Sequence, residues 1–108
     1  MPALLAAALA AQACVFVPAS RTLQNAAQPA KEAEAASRWW YVSGEKVDYG
    51  GARYRQYGSS RPVPPGELKY SGELDGLPVF IPANTSDTAI IYVMARSWNC
   101  TFQPYVRE

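Results

Sequence analysis

Histidine is absent from the chain, and cysteine nearly so, with Cys14 and Cys100 alone. Without histidine the commonest general base and the commonest metal ligand are missing. Two cysteines this far apart make neither a metal site nor a disulfide-rich framework. A strong charge of one sign is lacking too. Ten basic and nine acidic residues leave a net charge of +1, which gives no long-range steering toward nucleic acid. Nor is there an apolar run of bilayer length. Leu4 to Val17 is apolar apart from Gln12, roughly 21 Å of helix, whereas a spanning helix takes about 20 residues.

That run has the length of the apolar region of an export signal. Residues 1–20 carry no charged side chain, and seven of the first thirteen residues are alanine. Two cuts are readable. Ala11-Gln12-Ala13 precedes Cys14, and Val17-Pro18-Ala19 precedes Ser20. The first resembles the signal of a bacterial lipoprotein, in which the cysteine is lipidated and becomes the first mature residue. Ala11 stands where leucine is usual in that pattern. The resemblance implies a lipid on Cys14 and anchorage to a membrane through it. The same residues suit an ordinary signal peptidase, and a cut after Ala19 would discard Cys14. An Ala-rich helix packed on the domain is the remaining alternative, since alanine is the best helix former.

The expected organisation is a signal over 1–13, with an alternative end at 19, a tether over 14–37 and a β-rich domain over 38–108. The tether is rich in Ala, Gln, Ser and Pro. Its Pro29 to Ser37 portion suits a short, solvated helix. The domain opens with "RWWYV" at Arg38, a β-branched and aromatic run that reads as a strand. Gly50-Gly51 marks a turn or bulge. "SSRPVPPGE" is a loop, because prolines are confined to edges and bends. Asp75-Gly76 suits a type I′ hairpin turn. "TAIIYVMARSW" is the strongest strand, and "CTFQPYV" reads as a last edge strand. Four or five strands with turns between them predict a mainly β fold, a small antiparallel sheet or partly open barrel.

Tyr49 to Arg61, "YGGARYRQYGSSR", is the candidate binding stretch. It holds three Arg and three Tyr, and no acid occurs between Asp48 and Glu67. Arginine and aromatic faces together stack on rings and pair with carboxylates or phosphates. Arg53, Tyr54, Arg55, Tyr57 and Arg61 are the candidate ligand-binding residues, although an exposed strand face made of Arg and Tyr explains them equally. Within the stretch, Gly51-Ala52-Arg53-Tyr54 resembles a motif of periplasmic lysozyme inhibitors of the lipoprotein type, small β-barrels that occlude the active site of lysozyme. The resemblance spans four residues. The Trp-Lys-Gly segment that follows the motif in those proteins is absent, as is their pair of cysteines within the domain.

Other chemistry is thin. Glu73 and Asp75 are spaced to share a strand face, but the turn explains Asp75. Cys100 without histidine is a poor nucleophile, and in an oxidising compartment it calls for a partner. Asn84-Thr85-Ser86 and Asn99-Cys100-Thr101 match glycosylation acceptors. No catalytic residue, metal site or cofactor is expected. The expected function is that of a small envelope lipoprotein with a non-catalytic binding or structural domain. The alternative is a soluble periplasmic or secreted inhibitor or ligand-binding module. An envelope glycan or an acidic protein is the expected partner.

Overall fold

The computed structural model describes residues 13–29 and 34–108. Except for Ala13, the expected signal segment lies outside the described residues. Among the described residues nine strands occur: β1 (Ala13–Val17), β2 (Thr22–Ala26), β3 (Val47–Tyr49), β4 (Ala52–Gln56), β5 (Arg61–Pro62), β6 (Leu68–Leu74), β7 (Leu77–Pro82), β8 (Ile90–Arg96) and β9 (Thr101–Arg107). Also among the described residues, a short helix, α1, spans Trp39–Ser43, and 3-10 turns occupy Ala35–Ser37 and Pro65–Glu67. Strands β3 to β9 form a seven-stranded antiparallel sheet in the order β3-β4-β9-β8-β7-β6, with β5 pairing the free part of β9. This sheet curls into a half-barrel, and β1 and β2 form a separate two-stranded sheet.

Side-chain alternation divides the core between the two faces of the curled sheet. Val79, Ile81, Ile91, Val93, Tyr54, Val47 and Tyr105 pack on the concave face, together with Trp40 of α1 and Ala35. Phe80, Met94, Phe102, Leu68 and Val63 pack on the convex face, under Cys14, Phe16 and Leu23 of the β1–β2 hairpin. A bulge between Tyr70 and Gly72 makes one strand serve both cores. Leu68 and Tyr70 pack outward, the register then shifts, and Leu74 packs inward opposite Leu77. An extra residue reverses the face of everything after it, so the bulge is what lets β6 change sides.

The mainly β expectation holds, and the strand count is higher than the four or five expected. Asp75 and Gly76, with φ of 52° and 79°, form the tight β6–β7 turn. "RWWYV", expected as a strand, is instead the helix α1. Gly44 ends it in the left-handed conformation, φ 74°, and the Gly44 and Glu45 amides bond back to Tyr41 and Trp40. Aromatic β-propensity reflects packing on a pleated surface more than backbone preference. Here one helical turn places Trp40 edge-on to Tyr105, 6.2 Å away, while Trp39 and Val42 stay exposed.

The expected tether holds a second small sheet. Residues 13–17 and 22–26 are the hairpin, with Phe16 opposite Leu23. Phe16 stacks on Tyr70 at 5.1 Å and meets Phe80 edge-on at 5.9 Å. "ACVFV" is a strand with Ala13 and Cys14 buried and Val15, Phe16 and Val17 half-buried, which accounts for its apolar character. Length and hydropathy alone do not separate such a strand from the end of an export signal. Within the expected tether, residues 14–17 and 22–26 are therefore strand, and the hairpin packs on the sheet. Among the described residues, no helix is long and apolar enough to cross a membrane.

Candidate functional site

The register of β4, β9 and β8 decides which candidate side chains meet. On β4, Tyr54 faces the concave core and is 1% exposed, with its hydroxyl donating to the Thr88 carbonyl at 2.7 Å. Its neighbours Arg53 and Arg55 alternate to the convex face. Arg53 donates to Asp48 across the β3–β4 pair, Nε to Oδ1 at 3.0 Å. That hydrogen bond, with the Asp48 charge, raises the Arg53 pKa above its ordinary value. Arg55 lies opposite Val106, and Val106 lies opposite Ile90 on β8. The five candidates are therefore split. Tyr54 is a core residue, Arg53 is matched by an acid, and Arg55 points from the convex face.

Tyr57 and Arg61 do converge. After β4 the chain loops through residues 57–60 and rejoins β9 as β5, opposite Phe102 and Thr101. The Tyr57 amide donates to the Pro104 carbonyl, and Gln103 Nε2 donates to the Gly58 carbonyl, both at 3.0 Å. These bonds hold the loop beside β9. Between loop and sheet lies a groove of about 520 Å³, lined by Tyr57, Gly58, Ser59, Arg61, Ile90, Tyr92 and Pro104. Arg61 lies over the Tyr92 ring, 5.6 Å from its centroid, and donates to the Tyr92 hydroxyl at 3.2 Å. A guanidinium has five N–H donors, so several remain for a ligand. No carboxylate lines the groove. By register, Arg55 stands about two strand spacings from Ile90, roughly 10 Å, and it does not line the groove.

Ile90, Tyr92 and Pro104 are site residues that the candidate stretch could not include. They come from strands some thirty to fifty positions later. The alternation in "AIIYVM" puts Ile90 and Tyr92 on one face, and pairing with Pro104 adds the third. A second depression, of about 420 Å³, lies among Gly66, Glu67, Pro82, Ala83 and Asn84. It contains none of the Arg and Tyr candidates.

The other candidates have structural roles. Asp75 Oδ2 accepts from Trp40 Nε1 at 2.9 Å and from Arg38 at 3.1 Å. The Trp40 hydrogen bond, chiefly, holds its carboxyl below the ordinary carboxylate value, and the hydrogen bond and charge of Arg38 add to this. Cys100 is bonded to Cys14, with Cα atoms 5.1 Å apart, well inside the range for an unforced bridge. A thioether lipid on Cys14 and this bridge exclude each other, because both use the same sulfur. Among the described residues, no group of three or more acidic, Cys or His side chains could hold a metal ion. No family model matches the chain, and neither a curated protein nor a solved structure matches it.

Proposed function

We propose that the chain is an exported, non-catalytic binding module of the cell envelope, whose convex-face groove takes a carboxylate-bearing glycan. The observation that carries this reading is the convergence of Tyr57, Arg61 and Tyr92 around a cleft without a carboxylate. Its volume falls in the range of small-ligand sites, about 300–1,000 Å³. A stable protein–protein contact takes about 800 Å² from each partner, more than this groove offers. Tyrosine and proline faces suit the C–H face of a sugar ring, and Arg61 is held ready for a carboxylate. The Cys14–Cys100 bridge supports export, since disulfides persist in oxidising compartments such as a periplasm or the extracellular medium.

Titration with uronic acid oligosaccharides and with their carboxyl-reduced, neutral counterparts tests the reading. Binding should be selective for the acidic form. Arg61→Ala and Tyr57→Ala should each weaken it at least about tenfold, the size of one charged or one aromatic contact. Arg53→Ala should leave it unchanged. Equal affinity for the neutral sugars, or binding indifferent to Arg61 and Tyr57, would overturn the assignment. Selective binding of an acidic protein in place of the sugars would return the groove to the inhibitor reading.

A further inference from the structure

The amino-acid sequence alone allows an export signal to end after Ala13 or after Ala19. The fold conflicts with both positions. Ala13 and Cys14 are both 0% exposed. Ala13 pairs with Ala26 and bridges to Trp98. The Cys14 amide donates to the Ser97 carbonyl at 3.0 Å, and Ser97 Oγ donates back to the Cys14 carbonyl at 2.6 Å. The Cys14 sulfur is bonded to Cys100. Two residues on, Phe16 seals Tyr70 and Phe80.

A cut after Ala19 would remove the whole of β1. Strand β2 would lose its partner, Cys100 its bridge, and Phe80, Met94 and Phe102 much of their cover. A cut after Ala13 would turn the Cys14 amide into an ammonium group at a fully buried position, where a charge is unfavourable. Lipidation would take the sulfur that closes the bridge.

We propose that the mature chain keeps both Ala13 and Cys14, that its cut lies upstream of them, and that the protein is released instead of lipid-anchored. Ala8-Leu9-Ala10 supplies the small-x-small pattern a signal peptidase needs, giving a mature chain that starts at Ala11. This rests on the export half of the proposed function and is independent of the glycan half. After export the two thiols give up two protons and two electrons to a disulfide-bearing oxidoreductase of the compartment. That oxidoreductase is reduced to its dithiol, and Cys14–Cys100 forms.

The test is intact mass of the full chain recovered from the exported fraction, before and after reduction and alkylation. The expected species starts at Ala11, carries no lipid, is two hydrogens lighter than its reduced mass, and takes up two alkyl groups only after reduction. A chain starting at Ser20, a chain starting at Cys14 with or without lipid, or an uncut chain each overturns the proposal. A second arm does not depend on the processing host. The oxidised chain starting at Ala11 and the chain starting at Ser20, with its lone Cys100 alkylated, are compared by thermal melting and by binding of an apolar-surface dye. The shorter chain should melt at least about 10 °C lower, or not fold, and should bind the dye. Equal melting without dye binding would show that β1 is dispensable and overturn the assignment.

Discussion

Tyr49 Oη and Ser71 Oγ lie 2.6 Å apart and join β3 to β6, the two edge strands of the curled sheet. Ser71 is the extra residue of the β6 bulge, left outside the ladder between Tyr70 and Gly72. Beside it, a Cβ on Gly72 would sit 2.6 Å from the Tyr49 hydroxyl. The bulge, the glycine and the tyrosine are thus one device. The bulge turns Ser71 toward the opposite edge, and the absent side chain at Gly72 leaves room for the tyrosine to arrive.

Substitutions at this seam should therefore couple. Tyr49→Phe removes the hydrogen bond and should destabilise the fold by about 1 kcal/mol. Gly72→Ala displaces the hydroxyl and should destabilise it by about 1–3 kcal/mol. In the double variant the hydroxyl is already gone, so the combined loss should be smaller than the sum. Urea unfolding of the four proteins measures this. Strict additivity would mean that the two edges are not joined through these residues.

Asp75 gives the fold an acid limb. Its carboxyl is held below its ordinary value of 3.8, chiefly by the hydrogen bond from Trp40 and further by Arg38, with desolvation opposing. A carboxylate with a lowered folded-state pKa contributes stability that is fully present above its unfolded value, about pH 4. That contribution is lost as pH falls through the folded value. Asp75→Asn keeps a residue that tolerates φ near 52°, so the turn survives while the titration disappears. Melting temperature followed from about pH 5 to pH 2 should fall less steeply for the variant than for the parent. Parallel curves would remove Asp75 from the acid response.

The alkaline limb belongs to Tyr105. Burial pushes its phenol from 10.0 up to about 12, while the hydrogen bond from Gln56 pulls the other way and Tyr41 adds to the rise. A raised folded-state pKa means that the neutral form is favoured by folding. The stability it brings is complete below about pH 10 and is lost as pH rises toward 12. Tyr105→Phe keeps the ring against Trp40 and removes the titrating group. Its stability should fall less between those pH values than the parent's does. A parent that shows no loss in that window would refute the assignment.

The sequence was most informative where local chemistry sets the backbone. Asp75-Gly76 sits in the conformation its turn type demands, and the β-branched run from Ile90 is a strand. It was least informative where a segment's partner is distant. Nothing local shows that Phe16 meets Tyr70, or that Trp40 serves as a core residue through a hydrogen bond to Asp75. The apolar N-terminal run carried two compatible meanings, address and strand, because both need the same hydrophobicity. The candidate stretch was half legible for a related reason. Alternation separates Tyr54 from Arg53 and Arg55, yet Tyr92 and Pro104 join Tyr57 and Arg61 only once β8, β9 and the 57–60 loop are assembled.

The Cys14–Cys100 bridge should act mainly on the unfolded chain. It joins residues 86 positions apart, and a loop of that length restricts the denatured ensemble by about 4–5 kcal/mol in the chain-entropy account, with measured losses of about 2–5. Replacing both cysteines by alanine should therefore lower the urea midpoint and also raise the m-value, because the released chain expands further on unfolding. If the bridge served only to pin the hairpin, the outcome would differ. The hairpin would fray before the sheet, and m would fall as less surface is exposed in the main transition. Phe16 stacking on Tyr70 and the paired Cys14–Ser97 hydrogen bonds favour the first outcome, since they hold β1 in place without the covalent link. The sign of the change in m thus separates an entropic staple from a mechanical one, and a lower m in the double-alanine chain would refute the staple reading.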